Sequence, residues 1–278
     1  MGMQADELDP DVTDATGQMS PTPPMRLDVA GAHVTISCPT RAALFDQMAQ
    51  RLQHGQGFAL ATINLDHLVK LRESADFRTA YTRHELVVAD GNPVVWLSRL
   101  ARRPVALLQG AELIEPICAW AAQQGIAVGF CGSTDATLDK AAAELRRRIP
   151  GLRIAARIAP PMGFDPTGAD ARAVLEKLRA SGADICFLAL GAPKQEILAI
   201  HGRSTAPELG FVSIGAGLDF IAGHQTRAPR LVRRLALEWL WRMLSDPKRL
   251  ALRYIKCALI LPGHGWAALR LRARDARD

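Results

Sequence analysis

Four clusters of acidic, amide, hydroxyl and basic side chains stand at the ends of apolar runs in this 278-residue chain. Thr62-Ile63-Asn64-Leu65-Asp66-His67 closes the run 58–63, and Asp90-Gly91 follows 86–89. Gly191-Ala192-Pro193-Lys194-Gln195-Glu196 follows 185–190, and Gly215-Ala216-Gly217-Leu218-Asp219 follows 211–215. A carboxylate on a turn, such as Asp90 before Gly91, can act as a general base. Glycines let backbone approach a ligand, and the helix N-termini behind them offer free N–H groups to anions. Singly, each cluster also has a structural reading. Asp-Gly is a common turn, and His67 fits a satisfied core or surface histidine. Gly215-Ala216-Gly217 lacks the third glycine of a dinucleotide fingerprint. The Trp and Tyr residues of the last fifth fit core or interface better than a stacking platform.

The elements that must position these groups follow from periodicity. The apolar runs 58–63, 86–89, 126–131, 185–190 and 211–215 read as buried strands. Helical patterns lie between them. Ser133 or Thr134 caps one carrying Leu138, Ala142, Leu145 and Ile149, stopped at Pro150-Gly151, and another spans 169–180. Alternating strands and helices predict an α/β fold with a mostly parallel, Rossmann-like sheet flanked by helices, whose ligands sit at the strands' carboxyl ends. Past Arg227 the strands stop. Leu231, Leu235, Leu237, Leu240, Trp241 and Leu244 predict an amphipathic helix, and Asp246-Pro247 starts another. Pro262-Gly263-His264-Gly265 is expected to break that helix before a final basic stretch from Trp266. The expected organisation is a disordered acidic, Pro-rich leader (1–25), an α/β core (26–226) and a basic helical C-terminal appendage (227–278).

Charge is unevenly spread. Residues 1–30 carry six acids and one base, net −5; residues 31–226 carry 20 bases and 18 acids, net +2. Residues 227–278 carry 13 bases and four acids, net +9, which calls for an anionic partner. No apolar run approaches the ~18 residues of a spanning helix, and no secretory signal is expected from the first 25 residues. Five scattered cysteines without a CxxC pair argue against a disulfide framework or a zinc site.

Together the clusters are far more specific than any one alone. Thr62-x-Asn64-x-Asp66-His67, Asp90-Gly91, Gly163-Phe164, the 190–196 segment LGAPKQE, GAGLDFIAG at 215–223, Arg227-Ala228-Pro229-Arg230, LEWLWR at 237–242 and DPKRLALRY at 246–254 follow in order. This series resembles the WecG/TagA/CpsF glycosyltransferases from about residue 30 to 256. The resemblance implies an inverting, metal-independent transferase that moves a sugar from a UDP-sugar, of N-acetylmannosamine or hexose type, to a polyprenyl-diphosphate-linked saccharide. The setting it implies is cell-surface polysaccharide synthesis, peripheral on the cytoplasmic face of the membrane. Asp90 then matches the family's base, and Thr62 a hydroxyl beside the sugar. Asn64, Gly91, Lys194, Gln195, Glu196 and Asp219 match substrate contacts. Without a metal, the leaving diphosphate must be neutralised by cationic and backbone donors, and Arg227, Arg230, Arg242, Arg249 and Arg253 are the expected supply, with Arg227, Arg230 and Arg242 closing over the donor. No cofactor is expected. The expected partners are the UDP-sugar, the lipid-linked acceptor and an anionic membrane surface, not nucleic acid; homo-oligomerisation is left open.

The chain departs from the family pattern at Pro93, where a second glycine is usual, and at Leu107, where many members carry arginine. Arg102 or Arg103 is a candidate substitute for that cation. A nicotinamide oxidoreductase is the alternative on fold alone, but the glycine fingerprint is absent. A basic nucleic-acid-binding protein is the alternative on charge, but the tail's arginines alternate with Leu and Trp, as at a lipid interface.

Overall fold

The computed structural model describes residues 23–224 and 247–276, with Trp239, Trp241 and Met243 between them. Met25, the last residue of the expected leader, is buried, and its carbonyl accepts the Ile36 N–H. A hairpin comes first, β1 (Arg26–Val29) and β2 (Ala32–Thr35), turning through Ala30-Gly31. Six parallel strands form the main sheet: β3 (Ala59–Ile63), β4 (Leu86–Ala89), β5 (Ala127–Gly132), β6 (Arg153–Ile158), β7 (Ile185–Ala189) and β8 (Gly210–Ser213). Their spatial order is β4-β3-β8-β7-β5-β6. Every residue of β3, β4, β5, β7 and β8 is buried. That is the pattern of strands covered on both faces.

The cover comes from helices of ordinary amphipathic design. One face packs against α1 (Arg41–Gln53), α5 (Gly110–Gln124) and α6 (Asp135–Arg148), through Leu44, Met48, Leu113, Ile117, Leu138 and Leu145. The other carries α2 (Leu65–Glu73), α3 (Ala75–Tyr81), α4 (Asn92–Leu100), α7 (Ala169–Ala180) and α8 (Lys194–Thr205). A short α9 (Gly217–Ile221) follows β8. Caps explain several starts: Thr40, Asn64, Ser74 and Thr134 each accept the backbone N–H three residues on. Pro93 lies in the first turn of α4, where a missing N–H costs nothing, so the departure from glycine is compatible with the local backbone.

The last described helix, α10 (Pro247–Asp275), corrects one expectation: it runs unbroken through Pro262-Gly263-His264-Gly265. Leu250, Cys257, His264 and Ala268 are buried along one side at seven- and four-residue spacings, and α10 lies against α2, α4 and β1. Pro262 is on the opposite, exposed side, and the Ala258 carbonyl it leaves without a donor belongs to an exposed residue that water can reach. Tertiary packing therefore overrides the local breakers. The amphipathic helix expected over 231–244 lies outside the described residues, apart from helical Trp239, Trp241 and Met243. Among the described residues no helix is long and apolar enough to cross a membrane.

Removing the proline tests this account of α10. Pro262→Ala should stabilise the protein by about 1–3 kcal/mol, because an interior proline carries a propensity cost of about that size. The midpoint in thermal unfolding should rise by several degrees. A fall would show that the docked helix depends on the proline.

Candidate active site

Parallel strands deliver every following loop to the same edge of the sheet. Along that rim, in spatial order, come Asp90 after β4, Asn64 after β3, Gly215–Asp219 after β8, Gly191–Glu196 after β7 and Ser133 after β5. The four clusters seen in the sequence thus become neighbours, and Ser133 joins them.

Backbone and side-chain bonds weld the rim. The Asp90 N–H donates to Ile63 O at 2.8 Å, and the Leu108 N–H to Ala89 O at 2.8 Å. Gly91 has φ +111°, a value that L side chains rarely adopt, and it caps α4 directly behind Asp90. Thr62 pairs with Val88 and is buried, its methyl lying close to Gly110 at the start of α5. Asn64 caps α2 through Oδ1, which accepts the His67 N–H at 3.0 Å. Lys70 Nζ donates to Ala192 O at 3.2 Å and pairs with Asp66 at 2.8 Å, tying α2 to the 191–196 loop. Lys194 Nζ donates to Phe164 O at 2.7 Å, joining two of the sequence motifs. Gln195 is buried, with Oε1 accepting the Gly215 N–H at 2.9 Å. At the far end Ser133 Oγ donates to Asp219 Oδ1 at 2.9 Å. Gly132 is required beside it, since a Cβ there would sit 2.3 Å from Ala189 O.

Beneath the rim lies a sealed polar layer. His67 is a core histidine whose Nδ1 meets Thr62 O; burial and the Lys70 charge lower its pKa to about 4. A carbonyl only accepts, so the neutral ring carries its proton on Nδ1. Burial raises the Glu196 pKa to about 7. Burial, then the nearby charges of Glu196 and Asp90, push Tyr81 well above the usual phenol range.

The structure brings Asp90, Thr62, Asn64, Gly91, Gln195 and Asp219 to one edge. Lys194 stands at the same edge on an exposed position. Glu196 is set apart: it is fully buried and meets the rim through Gln195, so a direct substrate contact is not what its position offers. Arg227, Arg230 and Arg242 lie outside the described residues, as does the Arg249 side chain. Arg253 approaches Asp66 at 3.9 Å on the first turn of α2 and lies over the Tyr254 ring. Arg103 is no substitute for a cation at Leu107, because its guanidinium is committed to Asp275 and to Pro24 O. Leu107 itself bridges to Ala89, one residue before Asp90, and is partly exposed there.

Several groups escaped the sequence reading. Ser133 was visible only as a candidate cap, and its partner Asp219 is 86 residues away. His224 joins Thr137 and Lys140 of α6, both at 3.0 Å, closing the side of the rim next to Asp219. Tyr81 sits in a helix without any motif.

The glycosyl transferase WecG/TagA/CpsF family model matches residues 29–277, nearly the whole chain.

The buried histidines predict an acid dependence. His67 and His84 both have pKa lowered from the usual 6.5 to about 4 by burial, so the folded state refuses protons that the unfolded chain accepts. Their stabilisation is complete above pH 6.5 and is lost as pH falls toward 4. Glu196, raised to about 7, works in the opposite direction as pH rises from 4.5. His67→Asn keeps a donor for Thr62 O without a titrating ring. Chemical denaturation of this variant should show a shallower loss of stability between pH 6.5 and 4.5 than wild type, and an equal slope would refute the assignment.

Proposed function

Since this chain belongs to the WecG/TagA/CpsF family of glycosyl transferases, we propose an inverting transfer of a sugar from a UDP-sugar to a polyprenyl-diphosphate-linked saccharide. Membership makes it a glycosyltransferase of cell-surface polysaccharide synthesis and displaces the oxidoreductase and nucleic-acid alternatives. The observation that carries the finer reading is the rim. It sets one carboxylate, Asp90, beside Thr62 and Asn64, with the glycine-rich loops after β7 and β8 alongside.

In this reading Asp90 takes the proton of the acceptor hydroxyl as that oxygen bonds to the anomeric carbon. The bond from that carbon to the diphosphate breaks on the opposite face, which inverts the configuration. Thr62 and Asn64 orient the sugar. Gly91 lets substrate approach the backbone beside Asp90. Lys194, Gln195 and Asp219 form the nucleotide side, and Arg227, Arg230 and Arg242 receive the charge leaving with UDP. A preorganised cation is most effective where charge develops, and it replaces a metal in that task.

The acceptor places the enzyme at a lipid surface on the cytoplasmic face. α10 supports this with a second stripe, opposite its docked one: Leu252, Ile255, Leu259, Trp266 and Leu269 are all exposed. Lys248, Arg270, Arg272 and Arg274 lie on the same helix. Each base near an anionic leaflet contributes about 1 kcal/mol, and a tryptophan and leucines can insert between headgroups.

Two experiments test the reading. A screen of UDP-sugars against a polyprenyl-diphosphate-linked acceptor should give product with inverted stereochemistry, undiminished by EDTA. Asp90→Asn should lower turnover by about 10²–10⁴-fold with the fold intact, as for a lost general base, and Thr62→Ala should also lower it. Turnover within a few-fold of wild type for Asp90→Asn would remove the base role. Separately, Leu259→Glu combined with Trp266→Glu should leave thermal stability unchanged and weaken binding to vesicles containing anionic lipid. Unchanged vesicle binding would exclude this stripe as the lipid contact.

A further inference from the structure

Glu196 is fully buried, carries no direct route to substrate, and is bonded by one oxygen only. Its Oε1 accepts Gln195 Nε2 at 2.8 Å, and Gln195 Oε1 in turn accepts the Gly215 N–H at 2.9 Å. We propose that Glu196 is a positioning residue for the donor site: by holding Gln195 Nε2 it aims Gln195 Oε1 at Gly215 and so fixes the loop that presents Asp219. The proposal rests on the nucleotide-sugar reading above.

The reasoning is one of hydrogen-bond polarity. An amide side chain has a donor end and an acceptor end that differ little in shape. Gly215 supplies a donor, so only the orientation with Oε1 toward Gly215 is productive there. That orientation points Nε2 into the protein, where it needs an acceptor. Glu196 supplies one whether ionised or neutral, because a protonated carboxyl keeps its carbonyl oxygen. An apolar neighbour would leave the amide free to turn, and the tie between α8 and the β8–α9 loop would go with it. That loop is otherwise held by the Ile214 N–H on Leu188 O, the Gly217 N–H on Ile214 O and buried Leu218, none of which engages the Gly215 N–H. Gly215 has φ +57° and Gly217 follows two residues later, while Ser133 reaches Asp219 only from the far side. The second carboxyl oxygen of Glu196 is buried without a partner, as is the Tyr81 hydroxyl. α3, which carries Tyr81, packs against α8. A fully apolar design would avoid both unpartnered groups, so the carboxylate is an expense to stability that packing alone does not explain.

The test compares two variants of the full chain. Glu196→Leu fills the same space without an acceptor; Glu196→Gln keeps an acceptor for Gln195 and offers a donor toward Tyr81. Glu196→Leu should fold with unchanged or raised thermal stability, since it replaces a partly unpaired buried carboxylate. It should nevertheless bind UDP about 10-fold more weakly, the scale of one lost hydrogen bond to a charged group. It should also raise the KM for the UDP-sugar more than it lowers kcat, and speed hydrogen exchange at the Gly215 amide. Glu196→Gln should restore all three. Gln195→Ala should reproduce the Leu phenotype, and the double variant Gln195→Ala/Glu196→Leu should be no worse than either alone. Wild-type UDP affinity and Gly215 exchange in Glu196→Leu would overturn the proposal. So would a Glu196→Gln variant as impaired as Glu196→Leu, which would show that charge and not the acceptor matters. If wild type binds no UDP, the donor reading falls, and Gly215 exchange in the two variants still decides whether the clamp exists.

Discussion

Parallel strand pairing is the constraint on which the rest of the molecule depends. Each strand of the main sheet enters from the same side and leaves at the same edge, so each following loop is delivered to one rim. Helices on both faces then make the strands' surroundings apolar, and polar groups that remain at the edge must find one another or water. The bonds from Lys70 to Ala192, from Gln195 to Gly215 and from Ser133 to Asp219 are the outcome. They run between loops whose spacing the sheet has already set. The backbone at Asp90 is set by the bond from its N–H to Ile63 O and by the Leu108 N–H on the preceding carbonyl, with a glycine directly behind it.

Much of this was legible in the sequence, and what was missed shares a cause. The central strands appeared as uninterrupted apolar runs because they are buried on both faces. The β6 strand, Arg153–Ile158, escaped because it is an edge strand: its arginines face solvent, and its pattern is mixed. The hairpin of β1 and β2 is short and polar on one side for the same reason. Residues 262–265 read as a stop because proline and glycine act locally, whereas the docked side of α10 is repaid by contacts far away in sequence. Motif order located Asp90, Gln195 and Asp219. It could not reveal that Gln195 spends its amide on Gly215 and Glu196, since hydrogen-bond direction is a property of three-dimensional neighbours.

Residue type alone also misjudged some of the arginines. Charge counting treats all the bases of the last fifth alike, yet their surroundings differ. Lys256 pairs with Glu73 across to α2, while Arg270 lies over the ring of Trp266. On the core side, Arg103 is drawn away from the rim altogether. Among the described residues the bases of this segment therefore form two populations: those that fasten the helix to the body, and those left facing outward. Only the second can contribute to a long-range field.

Arg103 has one more consequence. Its guanidinium grips Asp275 with two bonds and reaches Pro24 O with a third, so the first and last turns of the described chain meet at a single side chain. Two ends this close, in a segment cut to residues 24–275, are the geometric condition for circular permutation. Joining them and reopening the polypeptide at the exposed Pro150-Gly151 turn would keep every strand neighbour in the sheet. The order in which the strands are synthesised could thus be changed while the rim stays the same.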